Sequence, residues 1–404
     1  MYKYFILILF LINFKCLHAT NLYYSGVCFV GNVSEFDVLF PYSKSIDSNA
    51  ENNLDKFVYP QIIEAANSLT NFNLKVADLA DLSGSNAYVM AFAIDGESLS
   101  IAETKLKKGN LFDIRAQLSA QILVFDYKSK SIVFNYPVVA QYTSATRGAP
   151  PTKEFISEMY KTMLLDKNSK VNIFNLLIEN LNKVSLNNDQ LFRIGVNSVN
   201  LAENTFKRFP DAIKESPGIL KRQLGQSLVA SLANNCNINV LPFVGNTSAL
   251  ANESDKISNT NAAIGGKMLT RFSNGDIFEL KVPNPDYVVD FKLRGFSQKL
   301  GKSSSIEQLI IYGTFINIKL SQPFTSKEYL NQNFKNVYVD SVIIDSPSSF
   351  SRDWFCFSTA TRVLIDGVTK QLSLPDKKWS IKYGGDEAFT QLKSANKIIN
   401  KCKL

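Results

Sequence analysis

Histidine is almost missing from this chain: the only one, His18, falls inside the N-terminal apolar segment. A chain beginning beyond that segment has no imidazole. Ser-His-Asp and Cys-His nucleophile activation, His-ligated zinc and histidine general bases are therefore excluded for it. Cysteine is sparse too. Cys28, Cys236, Cys356 and Cys402 lie far apart, with no CxxC pair. Thiolate zinc sites and thioredoxin-like chemistry have no motif. In an oxidising compartment Cys356 and Cys402 are the pair expected to bridge, tying the C-terminal tail to a nearby helix; buried free thiols are the alternative. No apolar run reaches the roughly 20 residues needed to span a bilayer. Nor is there a five-residue basic run, and Lys105, Lys107 and Lys108 form the tightest basic cluster. So thin a spread of charge argues against a nucleic-acid partner. Nothing in the residues asks for a cofactor or a metal. Hydrophobic residues at 45% and charged residues at 20% exclude disorder throughout and a polytopic membrane protein.

What is present begins with an export signal. Lys3 supplies a short positive region, Tyr4 to Phe14 an apolar run, and Leu17-His18-Ala19 a cleavage site ending on a small residue. Residues 1–19 read as a signal peptide, which places the mature protein, from Thr20, in the periplasm or outside the cell. Cys16 follows Asn13, Phe14 and Lys15 instead of the small apolar triplet that lipidation requires. The mature chain keeps 42 basic residues against 36 acidic ones.

Two parts of the sequence resemble each other in order. Asn71 to Val76 (Asn-Phe-Asn-Leu-Lys-Val) matches Asn235 to Val240 (Asn-Cys-Asn-Ile-Asn-Val). Ala87 to Ile94 matches Asp286 to Leu293, Gly26-Val27 matches Gly195-Val196, and Ser129-Lys130 matches Ser326-Lys327. The fold class that follows is α+β: two tandem copies of a strand-helix-strand plus three-stranded meander unit, with closing helices. The first unit spans 20–150. A helical connector occupies 151–190, where Phe155, Met159, Met163 and later Phe174, Leu177 and Leu181 recur at helical spacing. The second unit spans 191–375 and contains an insertion at 245–283; a tail follows at 376–404. Residues 22–140 are expected to superpose on 192–344. Within the first unit, Leu22 to Val30, Leu74 to Leu79, Tyr88 to Ile94, Phe112 to Phe125 and Ser131 to Ala140 read as strands, and Pro60 as the first residue of a helix. In the second, Ser216-Pro217 opens a helix whose Leu220, Leu224, Leu228 and Leu232 face a core. Ile238 to Val244 is expected as the next strand.

The insertion is the largest difference between the copies. Its polar part, Asn246 to Ala263, buries little, and Lys267 to Val282 reads as a hairpin about Asn274-Gly275. Long loops on rigid scaffolds are often functional. Binding is therefore expected on this excursion, through Met268, Phe272, Ile277 and Phe278. One enzymatic alternative exists. Asp95 and Glu97 stand two apart at a strand end, which would put both carboxylates on one face, as a carboxylate-dependent hydrolase needs. The second copy has Arg294 and Phe296 there. Gly265-Gly266-Lys267 lacks the first glycine of a phosphate loop and is followed by Met268, so it reads as a bend.

The segments Ile238 to Phe243, Asp286-Tyr287-Val288 and Asn86-Ala87-Tyr88-Val89 resemble the periplasmic domain of the curli secretion channel family, which is similar to the N-terminal domain of TolB, the lipoprotein activators of penicillin-binding proteins and FlgT. The likeness covers about a third of the chain. It implies a non-enzymatic domain that docks other envelope proteins. The lipidation motif and the long pore-forming hairpins of the channel members are absent. The sequence therefore predicts an exported, non-catalytic protein-binding adaptor or assembly factor, with another envelope or secreted protein as partner. It leaves peripheral membrane association and self-association open.

Overall fold

A computed structural model describes residues 20–48, 53–82, 86–106, 108–186, 192–244, 266–343 and 349–404. The expected signal segment, the polar stretch 246–263 and Gly265 lie outside the described residues. The chain is α+β. In order, the elements are β1 (Asn21–Val30), α1 (Phe36–Leu39), α2 (Ser43–Asp47), α3 (Leu54–Ala66), β2 (Asn73–Val76), β3 (Tyr88–Thr104), β4 (Asn110–Asp126), β5 (Ser131–Gly148), α4 (Lys153–Leu165) and α5 (Ile173–Glu179). Then come β6 (Ile194–Leu201), α6 (Asp211–Glu215), α7 (Pro217–Cys236), β7 (Lys267–Phe272), β8 (Ile277–Lys281), β9 (Tyr287–Ser303), β10 (Glu307–Gln322), β11 (Lys327–Ile343), α8 (Phe350–Ser373), α9 (Lys377–Gly384) and α10 (Ala388–Ile399).

Two sheets result, one ordered β2-β1-β3-β4-β5-β8-β7 and the other β11-β10-β9-β6. In both, an opening strand runs parallel to the first strand of a long antiparallel meander: β1 beside β3, β6 beside β9. Both parallel pairs shift register near their start, at Tyr24/Val27 and at Val196/Ser198. β2 pairs in parallel with β1, and its counterpart in the second sheet is a single parallel bridge from Ile194 to Val240. The strand expected over Ile238 to Val244 is thus reduced to isolated bridges, the other being Ile238 to Lys403. Pro242, which has no N–H to offer a ladder, lies just beyond them.

Helices differ from expectation where burial outweighs local preference. α3 starts at Leu54, capped by the Asn53 side chain, which accepts from the Lys56 N–H. Pro60 is therefore its seventh residue, not its first. Leu54, Val58 and Ile62, four apart, are all fully buried, and that burial outweighs the hydrogen bond the proline removes. The stretch read as a connector packs its helices, α4 and α5, on β4 and β5, so it belongs to the core of the first unit. The C-terminal tail is helical as well: α9 and α10 pack on β11. The four described cysteines are buried and free, so Cys356 and Cys402 are not bridged. Cys356 lies against Asp340, while the Cys402 thiol donates to the Ile398 carbonyl.

The main core is continuous across both units. One face of the first sheet (Tyr24, Met90, Phe92, Ile94, Ile122, Val124 and Phe134) packs into it beneath α3, α4 and α5. The opposite face is shared by two covers. Near the Asp126–Ser131 turn it is sealed by the β7–β8 hairpin; farther along, α7 and α8 cross it.

Candidate functional site

Asp95 and Glu97 do not share a face. A bulge between Ile94 and Gly96 shifts the β3–β4 register, so the two-residue repeat is broken between the two carboxylates. Asp95 accepts from the Ser119 hydroxyl at 2.6 Å, and its backbone carbonyl accepts from Arg222 and Gln226 of α7. Glu97 lies directly opposite Leu118 and points to the other side. There it accepts from the backbone N–H groups of Tyr42 and Ser43 and from the Ser43 hydroxyl, at 3.0, 2.9 and 2.6 Å. Burial pushes both carboxyls above their ordinary range, and the hydroxyl and amide donors oppose that shift. These are hydrogen-bonded structural carboxylates on opposite faces. The geometry expected of a paired-carboxylate hydrolase is absent from them.

The β7–β8 hairpin forms about Asn274-Gly275 as its sequence predicts, but it packs on the other unit. β7 runs antiparallel to β1, pairing Cys28 with Phe272 and Val30 with Thr270. β8 meets β5 at Ser131 and Lys281. The hairpin thereby joins the first and last strands of the first sheet and closes them into a small barrel. Met268 and Phe272, 1% and 3% exposed, fill its interior with Leu123, Phe125, Val89 and Leu280. They are core residues, not an open binding surface. Phe278 lies partly buried beneath Lys130, and only Ile277, 57% exposed, faces outward.

The gap that β1 leaves at its free edge is closed by a side chain. β2 ends opposite Tyr24 and β7 begins beyond Val27. Between them the Val27 N–H donates to Asp55 Oδ1 at 2.6 Å. Gly26, at φ +119°, makes room: a Cβ there would meet Asp55 Oδ1 at 2.8 Å. Burial, with Asp47 and Asp78 nearby and the Val27 bond opposing, pushes the Asp55 carboxyl up to about 6.

The second sheet has a different outer surface. Its inner residues, among them Ile310, Tyr312, Ile316, Leu320 and Phe334, are buried against the helices. The outward set of β10 and β11 alternates with them. Ile311 is paired with Val339, Gly313 with Val337, Phe315 with Lys335 and Asn317 with Asn333. Val337 and Val339 are 59% and 51% exposed, and Leu309 and Ile343 are also exposed. Lys292, Arg294, Lys299 and Lys335 border this apolar strip and are exposed; among the described residues none of them forms an ion pair. The acids nearby are engaged: Asp290 with Asn197 and Ser198, Glu307 with Ser341, Glu328 with Lys319. Asn317 donates to Asn331 and Asn333 on the same face. The sequence reading missed this strip, although a signal existed. In β11 the apolar residues Val337 and Val339 alternate with Tyr338 and Asp340, and it is Asp340 that faces inward, to Arg352.

No family model matches the chain, and no curated protein matches it. Among solved structures it is similar to a neuraminyllactose-binding hemagglutinin homolog from Helicobacter pylori, at 7% identity and a TM-score of 0.27, over 41% of this chain and 86% of that one. It is also similar to the rare lipoprotein B from Shewanella oneidensis, at 11% identity and a TM-score of 0.21, over 40% of this chain and 93% of that one. Among the described residues no helix is long and apolar enough to cross a membrane.

Proposed function

We propose that this is an exported, non-catalytic protein that docks an acidic protein partner on the outer face of its second sheet. The observation that supports this reading is the apolar strip Leu309-Ile311-Val337-Val339, bordered by exposed cations whose acidic neighbours are already engaged. An apolar centre with a polar, chargeable rim is the anatomy of a protein interface. A second copy of the same face would set like charges against each other, so complementarity favours an acidic surface.

The test is photo-crosslinking in the cells that make the protein, from a probe at Val337 and from a control probe at Glu64 on α3. One adduct specific to position 337 is expected, carried by a protein with an acidic surface and lost in the full-length Lys299→Glu/Lys335→Glu variant. An adduct that survives the double reversal, or that forms equally from position 64, overturns the proposal. So does flotation with phosphatidylglycerol vesicles that the double reversal abolishes, because that result assigns the face to a membrane.

A further inference from the structure

A second feature lies where the two units meet, well away from that outer face. A cavity of about 220 Å³, partly open to solvent, is bordered by β3 and β4 of the first sheet, by α6, α7 and α8, and by β9 of the second. Most of its wall is apolar: Leu99, Leu220, Leu224, Phe296, Trp354 and Ile365 line it. Two arginines, Arg115 and Arg362, line it as well, and among the described residues no aspartate or glutamate does.

Among the described residues neither arginine forms an ion pair; Arg352 holds Asp113, the acid that lies near Arg115, at 2.9 Å. Arg115 stacks on the Phe355 ring at 4.0 Å and donates to the Thr359 hydroxyl at 3.0 Å. Arg362 donates to the side-chain carbonyls of Gln117 and Gln141. Burial pushes Arg115 down to about 10, with Arg362 adding to it, and burial lowers Arg362 too. Burial disfavours both charges. Two like charges on the wall of one cavity are stabilised when an anion enters. Ser98, Ser100, Gln223 and Ser227 add further polar groups to the same wall.

We propose that this cavity binds a small organic carboxylate with a compact apolar body. Size sets the class: an apolar cavity of about 150 Å³ accepts benzene, so about 220 Å³ leaves space for a benzene-sized group and a carboxylate. The carboxylate meets Arg115 and Arg362, and the apolar body meets Leu220, Phe296 and Trp354. Because the walls come from both units, the bound acid ties them together.

Calorimetric titration of the full chain with benzoate, phenylacetate and octanoate tests this, with 2-phenylethanol as the neutral match. At least one carboxylate is expected to bind with a Kd below about 1 mM and to raise the melting temperature. The alcohol binds at least tenfold more weakly. Arg362→Gln weakens the carboxylate at least tenfold, yet leaves the melting temperature of the empty protein unchanged or higher, because a repelling charge has gone. A purely structural arginine would lower it. Ser227→Phe, which places a ring in the cavity from α7 and leaves both arginines in the sequence, abolishes binding and covers the case in which Arg362→Gln does not fold. The proposal is overturned if none of the three acids binds, if the alcohol binds as well as they do, or if folded Arg362→Gln or Ser227→Phe binds normally.

Discussion

The β1-β3-β4-β5 part of the first sheet and the β6-β9-β10-β11 sheet share strand order and direction but differ in how much of each is covered. The first has helices α3, α4 and α5 on one face and a hairpin plus α7 and α8 on the other. The second has helices on one face and, among the described residues, no element packed on the other. Its outward residues show what a missing cover does to composition. Where the hairpin covers the first sheet, the strands present Val89, Ala91, Ala93 and Phe125. The second sheet's outer face instead mixes Val337 and Val339 with Lys292, Lys299, Lys335 and Asn333. The hairpin is encoded inside the second unit, yet it completes the first. The part of the chain that the second unit carries in excess thus leaves its own sheet open on one side.

The largest effect that would break this comparison comes from paired substitutions on the covered and uncovered faces. Phe272→Ala opens a void inside the small barrel and is expected to cost about 3–5 kcal/mol. Val339→Thr, on the outer face of the second sheet, is expected to stay within about 0.5 kcal/mol. Urea unfolding monitored by circular dichroism measures both. Similar losses at the two positions would mean that the outer face is covered in solution.

The next effect probes the place where the hairpin takes over the edge of β1. Folding raises the Asp55 carboxyl from the ordinary aspartate value of 3.8 to about 6. Between those values the folded state holds more protons than the unfolded chain. The contribution of Asp55 to stability is therefore fully present below about pH 4 and is lost as pH rises through about 6. Asp55→Asn keeps an oxygen that accepts from the Val27 N–H and removes the charge. It is expected to raise stability by about 2–3 kcal/mol at pH 7.5 and to have little effect at pH 4. Denaturant titrations at the two pH values decide this, and an equal change at both would mean that the carboxylate is not held above its usual range.

How much of this was legible in the sequence depended on the range over which each feature is decided. The hairpin turn at Asn274-Gly275, the long strands and the α7 leucine stripe are set within a few residues, and the structure contains them. The partner of the hairpin is not a local property: nothing in Lys267 to Val282 says that Phe272 will lie opposite Cys28, some 240 residues earlier. The Asp95–Glu97 reading failed on a single bulge, which breaks the two-residue alternation between the two carboxylates and turns one of them over. The cavity arginines were equally hidden. Arg115 on β4 and Arg362 on α8 are 247 positions apart, and only the packing of the two units brings them together.

The smallest effect compares the turns that open the last strand of each meander. Lys130, at φ 57°, and Ser326, at φ 54°, each stand one residue before that strand. The sequence match had placed Ser326 opposite Ser129; the backbone places it opposite Lys130. A left-handed conformation costs a residue with a Cβ about 1–2 kcal/mol, and a glycine returns about 0.4–1 kcal/mol of that through its freer unfolded chain. Ser326→Gly should therefore gain about 0.5 kcal/mol. Lys130→Gly has the same backbone terms but loses more side chain. The Lys130 ammonium lies 3.7 Å from the centroid of Tyr127 and 4.1 Å from that of Phe278 on β8, and such contacts contribute about 0.5–1 kcal/mol at exposed sites. Its net change should be close to zero or slightly destabilising. The second turn has no hairpin to hold, so only the first should show this offset. Equal gains from the two substitutions, read as shifts in the urea midpoint at constant slope, would show that Lys130 contributes nothing to fastening the hairpin. The closure of the barrel would then rest on the buried Met268, Phe272 and Leu280, on the β1–β7 ladder and on the backbone contact of β8 with β5.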